Sequence, residues 1–176
     1  IGIEIPGLHQ MDGQGAYDKI VTEILIKSNL ARLHVYPPSR AKNSFIDCKN
    51  CCFSPANKDP DFYEFGEDIL QTNPMNLAKI YIFVNTGQPT ISDLKELTDK
   101  TVGIRFGMPY GKSFAQAELT TQVVHNLDSY INLLQHGRIH AFIAYVPDAY
   151  KMFSKLNLKP FPHDIARPIA VHTDRL

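Results

Sequence analysis

The side chains best suited to chemistry gather around one short loop. Gly107-Met-Pro-Tyr-Gly111 is preceded by Arg105 and followed directly by Lys112 and Ser113. A glycine-bounded loop that opens a helix presents free backbone N–H groups and the positive end of the helix dipole, which together hold carboxylates or phosphates. Arg105 adds a guanidinium able to grip an acidic group through two hydrogen bonds. Lys112 brings a charge and Ser113 a hydroxyl, while Met108 and Tyr110 supply a wall. The same residues also suit a plain glycine turn beside a surface arginine. A Walker A loop is excluded, because Phe106 stands where the first glycine of that pattern belongs.

Acid–base and nucleophilic chemistry find less support. Histidines fall at positions 9, 34, 125, 136, 140, 163 and 172, and none forms an HxxxH or HExxH pair within a helix, since Gly137 interrupts the spacing of His136 and His140. No GxSxG elbow occurs. Three cysteines crowd into Cys48, Cys51 and Cys52. Their readings are a short disulfide from Cys48 to Cys51 or Cys52, buried free thiols, or metal and redox chemistry. Zinc normally takes four ligands from two such pairs, and there is no second pair. A disulfide would fit an oxidising compartment. No metal and no cofactor is expected.

Composition narrows the class. The 176 residues carry 18 basic and 18 acidic side chains, with 44% hydrophobic residues. Such balance fits an ordinary globular protein and gives no basic face for nucleic acid. No apolar run approaches the roughly 20 residues of a membrane span. The start Ile-Gly-Ile-Glu reads as a chain cut from something longer, its signal segment removed.

The elements that must position the loop follow from periodicity and breakers. Strands are expected over residues 1–5, 33–36, 51–53, 78–84, 101–106, 139–146 and 168–172. Helices are expected over 16–29, 39–45, 93–97, 112–124, 129–136 and 148–155. Ser92 is the expected cap of the third helix, although Glu96 sits one residue off capping-box spacing. Gly137 is the expected stop after the fifth. Strands alternating with helices imply an α/β fold with parallel sheets, and ligands in such sheets bind beyond the carboxyl ends of the strands. Two half-sized sets suggest two lobes facing across a cleft.

Residues 97–111 resemble the second-lobe opening of the family 3 extracellular solute-binding proteins, which are type II periplasmic binding proteins usually serving ABC importers. Residues 130–149 are similar to that family's helix, Gly-Arg turn and strand, with Leu133-Leu-Gln-His-Gly-Arg-Ile-His-Ala141 as the matching run. Gly15 with its helix and Tyr36-Pro-Pro-Ser-Arg40-Ala41 fit the P-x-x-R-A subgroup. The resemblance implies a first lobe over 1–84, a second over 85–167 and a return strand over 168–176. It implies a small-molecule ligand between the lobes, an ABC permease as partner, an extracytoplasmic location and no catalysis. Family members usually run on into further helices after the strand matching residues 168–172, so the first lobe is expected to lack them.

Ligand candidates follow, each with a surface role as its plain alternative. Arg105 and the 107–113 loop are joined by Arg40, behind the prolines, and by Glu4, at the end of the first strand. Ser54 and Asn57 lie in the segment 53–63, where amino-acid binders of the family carry a carboxylate-gripping arginine that is missing here. Tyr145 stands where those binders carry an ammonium-binding acid. A standard α-amino acid therefore fits poorly, and a small polar, anionic metabolite is expected. Asp148 reads as a charge at a helix start. The same module would also serve as the sensor of a membrane receptor or kinase, and more remotely as a dehydratase-type enzyme.

Overall fold

Residues 76–84 combine β-branched, aromatic and aliphatic side chains without a charged residue after Lys79, and they form the central strand of the molecule. The computed structural model describes residues 1–66 and 68–176. In chain order the strands are β1 (Gly2–Ile3), β2 (Val35–Tyr36), β3 (Asn76–Val84), β4 (Val102–Arg105), β5 (Thr121–Val124), β6 (Ala141–Val146) and β7 (Ala170–Asp174). The helices are α1 (Ala16–Val21, continued as a π-helical stretch Thr22–Ile26), α2 (Pro38–Ile46), α3 (Lys112–Gln116), α4 (Asp128–Gln135) and α5 (Asp148–Lys155). A 3-10 turn spans Leu94–Leu97.

The larger sheet has the order β5-β4-β6-β3-β7. β3 pairs with β7 over its first half and with β6 over its second, antiparallel to both, whereas β4 runs parallel to β5 and β6. Alternation along β3 and β6 explains their apolar sequences. Tyr81, Phe83, Phe142 and Ala144 face a core covered by α4 and α5, and Ile80, Ile82, Val84, Ile143 and Tyr145 face the opposite core. Strands buried on both faces read as near-continuous hydrophobic runs. Burying each large apolar side chain contributes roughly 1.5–3 kcal/mol.

The first lobe is built otherwise. β1 and β2 pair in parallel over only two residues each. Its core, including Ile3, Ile5, Tyr17, Ala41, Phe53 and Tyr63, lies between this ribbon, α1, α2 and the loop chain beyond. Cys48 and Cys51 form a disulfide, and Cys52 is a free, exposed thiol. Backbone pairing between the lobes gathers near the carboxyl end of β7. Ala56 and Arg175 exchange backbone hydrogen bonds at 3.1 and 2.9 Å, Met75 N–H donates to Asp174 C=O at 2.8 Å, and Thr72 N–H to Leu176 C=O at 2.9 Å. Phe62 and Met108 pack into the cores of both lobes.

Several expectations are corrected. The helix expected over 112–124 stops at Gln116, because Glu118 adopts φ +48° and the β-branched run behind it joins the sheet as β5. The strand expected over 51–53 reduces to a single bridge, in which Ser54 pairs with Gly2. Helix 16–29 ends early, with Asn29 in the left-handed region at φ +54°. Asp93, not Ser92, caps the 3-10 turn. Its carboxylate accepts from Lys95 N–H at 2.9 Å and Glu96 accepts from Asp93 N–H at 3.2 Å, which restores capping-box spacing. The sheets are not uniformly parallel. Residues 76–84, read as first lobe, lie inside the five-stranded sheet, where β7 joins them. Gly137 closes α4 as expected, at φ +64° with its N–H on Leu134 C=O.

Candidate functional site

The carboxyl end of β6 carries Tyr145 and Val146 directly into Pro147 and the first turn of α5, so Asp148 is delivered to the edge of the sheet that meets the first lobe. A cavity of about 20 Å³ lies there, room for a single water. Ile3, Ile5, Leu8 and Pro55 wall it from the first lobe, and Ala78, Met108, Val146 and Pro147 from the second. Its polar wall consists of Tyr63, Tyr145, Asp148, His172 and Asp174.

Asp148 is 2% exposed, and its Oδ1 has no hydrogen-bond partner among the described residues. Burial pushes its carboxyl up to about 7, against the opposing pull of Arg105 and of the N–H groups of residues 148 and 149. Asp174 is also raised by burial, although Tyr17 donates a 2.6 Å hydrogen bond to its Oδ2 and His172 lies near. Burial lowers His172, with Asp174 pulling the other way. One His172 ring nitrogen lies 3.0 Å from Asn57 Nδ2, and the other lies 3.2 Å from the Tyr145 hydroxyl, which donates to Pro109 C=O. This network ties the first lobe to the loop of residues 107–111 through β7.

One end of the cleft is shut by Arg105. It is buried, donates from Nη1 to Glu4 C=O at 3.0 Å, and places Nη2 3.8 Å from the Glu4 carboxylate, leaving Nε without a partner. Tyr110 braces this arginine by accepting from its backbone N–H at 2.8 Å, and burial pushes the phenol up to about 12. Gly107, at φ +78°, closes the same end. A Cβ there would meet Ser39 Oγ at 2.3 Å and Ser39 N at 2.6 Å, so only glycine lets the loop touch the start of α2.

Of the residues singled out in the sequence, Met108 and Tyr145 line the cavity, while Arg105 meets Glu4 and Gly107 meets Ser39 between the lobes. The others lie elsewhere. Arg40 is exposed and stacks its guanidinium 4.5 Å over Tyr36. Lys112 pairs with Asp61 at 3.2 Å on the surface, Ser113 is exposed, and α3 behind them has only five residues. Asn57 Nδ2 donates to Thr173 C=O at 2.8 Å as well as facing His172, so it serves the junction of the lobes. Ser54 Oγ lies 3.0 Å from His9 Nε2, and His9 Nδ1 lies 2.7 Å from Asp18 Oδ1. That order matches a nucleophile relay. However, the three side chains are 0–1% exposed and Asp18 Oδ2 accepts from Gln10 and Gly15 N–H, so the relay holds loops together.

Asp148, His172, Asp174 and Tyr63 were not expected at the site. The available signal was Pro147-Asp148 behind an apolar strand. It marks a helix start, and nothing local says that this helix points its first turn into a cleft.

Two α/β lobes joined by backbone pairing, with a small cavity where they meet, have the fold of the type II periplasmic binding proteins. The GluR0 ligand-binding core from Nostoc punctiforme in complex with L-glutamate superposes with a TM-score of 0.71 at 14% identity, covering 99% of this chain and 81% of that one. An ancestral arginine-binding protein bound to arginine gives 0.61 at 16% identity, over 99% and 82%. The substrate-binding protein of an amino acid ABC transporter gives 0.64 at 13%, again over 99% and 82%. No protein-family model matches the sequence, and no curated protein matches it significantly.

Proposed function

We propose that this chain is a solute-binding module that closes its two lobes on a small polar metabolite and performs no chemistry on it. One observation carries the reading: Asp148 Oδ1 is buried and partnerless in the cavity between the lobes. Leaving such an atom unsatisfied costs about 1–3 kcal/mol or more for a charged group, which a bound solute would recover. The cavity as it stands admits one water, so a solute enters only as the lobes part and closure follows as a population shift.

The partner in this reading is the permease of an ABC importer, and the location is extracytoplasmic. The disulfide between Cys48 and Cys51 supports an oxidising compartment, and the fold is shared with the substrate-binding protein of an amino acid ABC transporter. Burial of the Ser54–His9–Asp18 relay weighs against an enzyme, since no substrate reaches its hydroxyl. Lys112 faces Asp61 and Arg105 faces Glu4, which weighs against an anionic solute.

Thermal unfolding against a panel of amines, carboxylates, amino acids and sugars tests the proposal. A solute at a hundredfold excess over its Kd adds about 2.7 kcal/mol, a rise of roughly 5–10 °C in Tm for a chain of this size. No shift with any member of the panel would remove the solute-binding reading.

A further inference from the structure

We propose that the interlobe cavity takes the protonated amine head of a short, otherwise apolar solute, with Asp148 as its counter-ion. The proposal rests on the solute-binding reading and specifies the chemistry of the same site.

Its first support is the balance of charge. Two carboxylic acids, Asp148 and Asp174, line the cavity, and no lysine or arginine does so. The nearest guanidinium, Arg105, directs both terminal nitrogens to Glu4. A carboxylate placed in the cavity would face two acids with no lysine or arginine among the described lining residues to answer it. An ammonium meets the opposite field.

The second support is the state of each polar atom in the wall. Tyr63 donates to Pro55 C=O at 3.3 Å, Tyr145 donates to Pro109 C=O, and both His172 nitrogens have neighbours. Asp174 Oδ2 accepts from Tyr17. Among the described residues Asp148 Oδ1 is left as a bare acceptor, 2% exposed, on a wall that apart from those four side chains is apolar. A bare acceptor in apolar surroundings calls for an N–H donor with an apolar body. Hydroxyl-rich solutes would find nothing to bond along Ile3, Ile5 and Leu8.

Binding is then linked to protons. The ionisable groups around Asp148 are Arg105 from β4, Tyr145 from β6, His172 and Asp174 from β7, Tyr63 from the first lobe, and Tyr110 and Tyr130 behind Arg105. In the unliganded cleft the Asp148 carboxyl, pushed up to about 7 by burial, keeps its proton below neutrality. An arriving ammonium requires the carboxylate, so that proton leaves to solvent. Affinity therefore falls up to about tenfold per pH unit below pH 7. Protonation of His172 at lower pH acts in the same direction.

The test is calorimetric titration of the whole chain with straight-chain monoamines from methylamine to butylamine, the matched carboxylates, and alanine. Amines are expected to bind at least tenfold more tightly than either other set, releasing a proton at pH 6 and almost none at pH 8. Replacing the acceptor by Asp148→Asn should weaken amine binding roughly 10- to 100-fold and abolish the proton release. The proton count in the native chain needs no variant and decides the matter even if Asp148→Asn misfolds. Binding of carboxylates or alanine in preference to amines overturns the assignment of charge and leaves the solute-binding reading standing. Failure of all three sets overturns the proposal, and the sugars and larger amino acids of the thermal panel then decide whether the broader reading falls with it.

Discussion

The two lobes reach order by different means. The larger one stacks apolar side chains on both faces of five strands, with Phe83, Ile80, Phe142 and Ile143 fully or almost fully buried. The smaller one has a sheet of two-residue strands and relies on His9, Asp18, Ser54 and Asn57, four buried polar residues bonded across loops. Apolar burial tolerates local slack, because its energy follows area. A buried polar network loses the full desolvation cost of each partner left alone. The lobes should therefore differ in how a single change spreads.

Three changes would break or sharpen that contrast. The largest effect belongs to Phe142→Ala. Phe142 stacks on Phe83 at 5.0 Å and Tyr130 at 4.7 Å, and its loss should lower stability by about 3–5 kcal/mol in urea unfolding. A loss below 1 kcal/mol would mean that the large sheet is not the chief source of stability.

The second uses pH. Asp148 has an ordinary carboxylate value of 3.8 and a folded value raised to about 7, so between these pH values the folded state holds a proton that the unfolded state has released. Stability contributed by this group is full below 3.8 and is lost as pH rises to 7, at about 1.4 kcal/mol per pH unit. Asp174 adds a fall of the same sign. His9 and His172, whose values are lowered, add stability as pH rises toward 6.5. Asp148→Asn should remove its share of the fall, measured as a flatter stability curve from pH 4 to 7. An unchanged curve would show that the carboxyl is already ionised in the fold.

The smallest is Asp18→Ala. It strips partners from His9 and from the Gln10 and Gly15 N–H groups, at a cost of about 1–3 kcal/mol. Hydrogen exchange should accelerate in the first lobe and stay slow in β3 and β6. Equal acceleration in both would erase the distinction between the lobes.

Legibility in the sequence follows the same division. β3, β6 and α5 were readable because burial on two faces, or on one helical face, writes a periodic pattern. β5 was not, since the helix before it ends at Gln116, two residues ahead of Glu118, a non-glycine residue in the left-handed region that no composition rule flags. The antiparallel placing of β3 was also hidden, because pairing order is decided by residues some sixty to ninety positions away, in β6 and β7. At the site, Tyr145 and Met108 line the cavity, while Lys112, Ser113 and Arg40 lie at the surface, where the partners Asp61 and Tyr36 are matters of tertiary structure. Asp148 looked like an ordinary helix-start charge until the packing showed what its first turn faces.

The junction of the lobes has a mechanical consequence. Two segments leave the sheet side by side, one before Asn76 and one after Asp174, and they are stitched by backbone bonds at Thr72, Met75 and Ala56. The segment before Asn76 runs on into the first lobe, and Arg175 and Leu176 brace it through hydrogen bonds to Ala56 and Thr72. For the closure proposed above, this bracing makes a swing of the first lobe an easier movement than a twist. The contacts of Ser39 with the bare backbone at Gly107 and of Glu4 with Arg105 give the proposed swing a fixed end point, built from the chain itself.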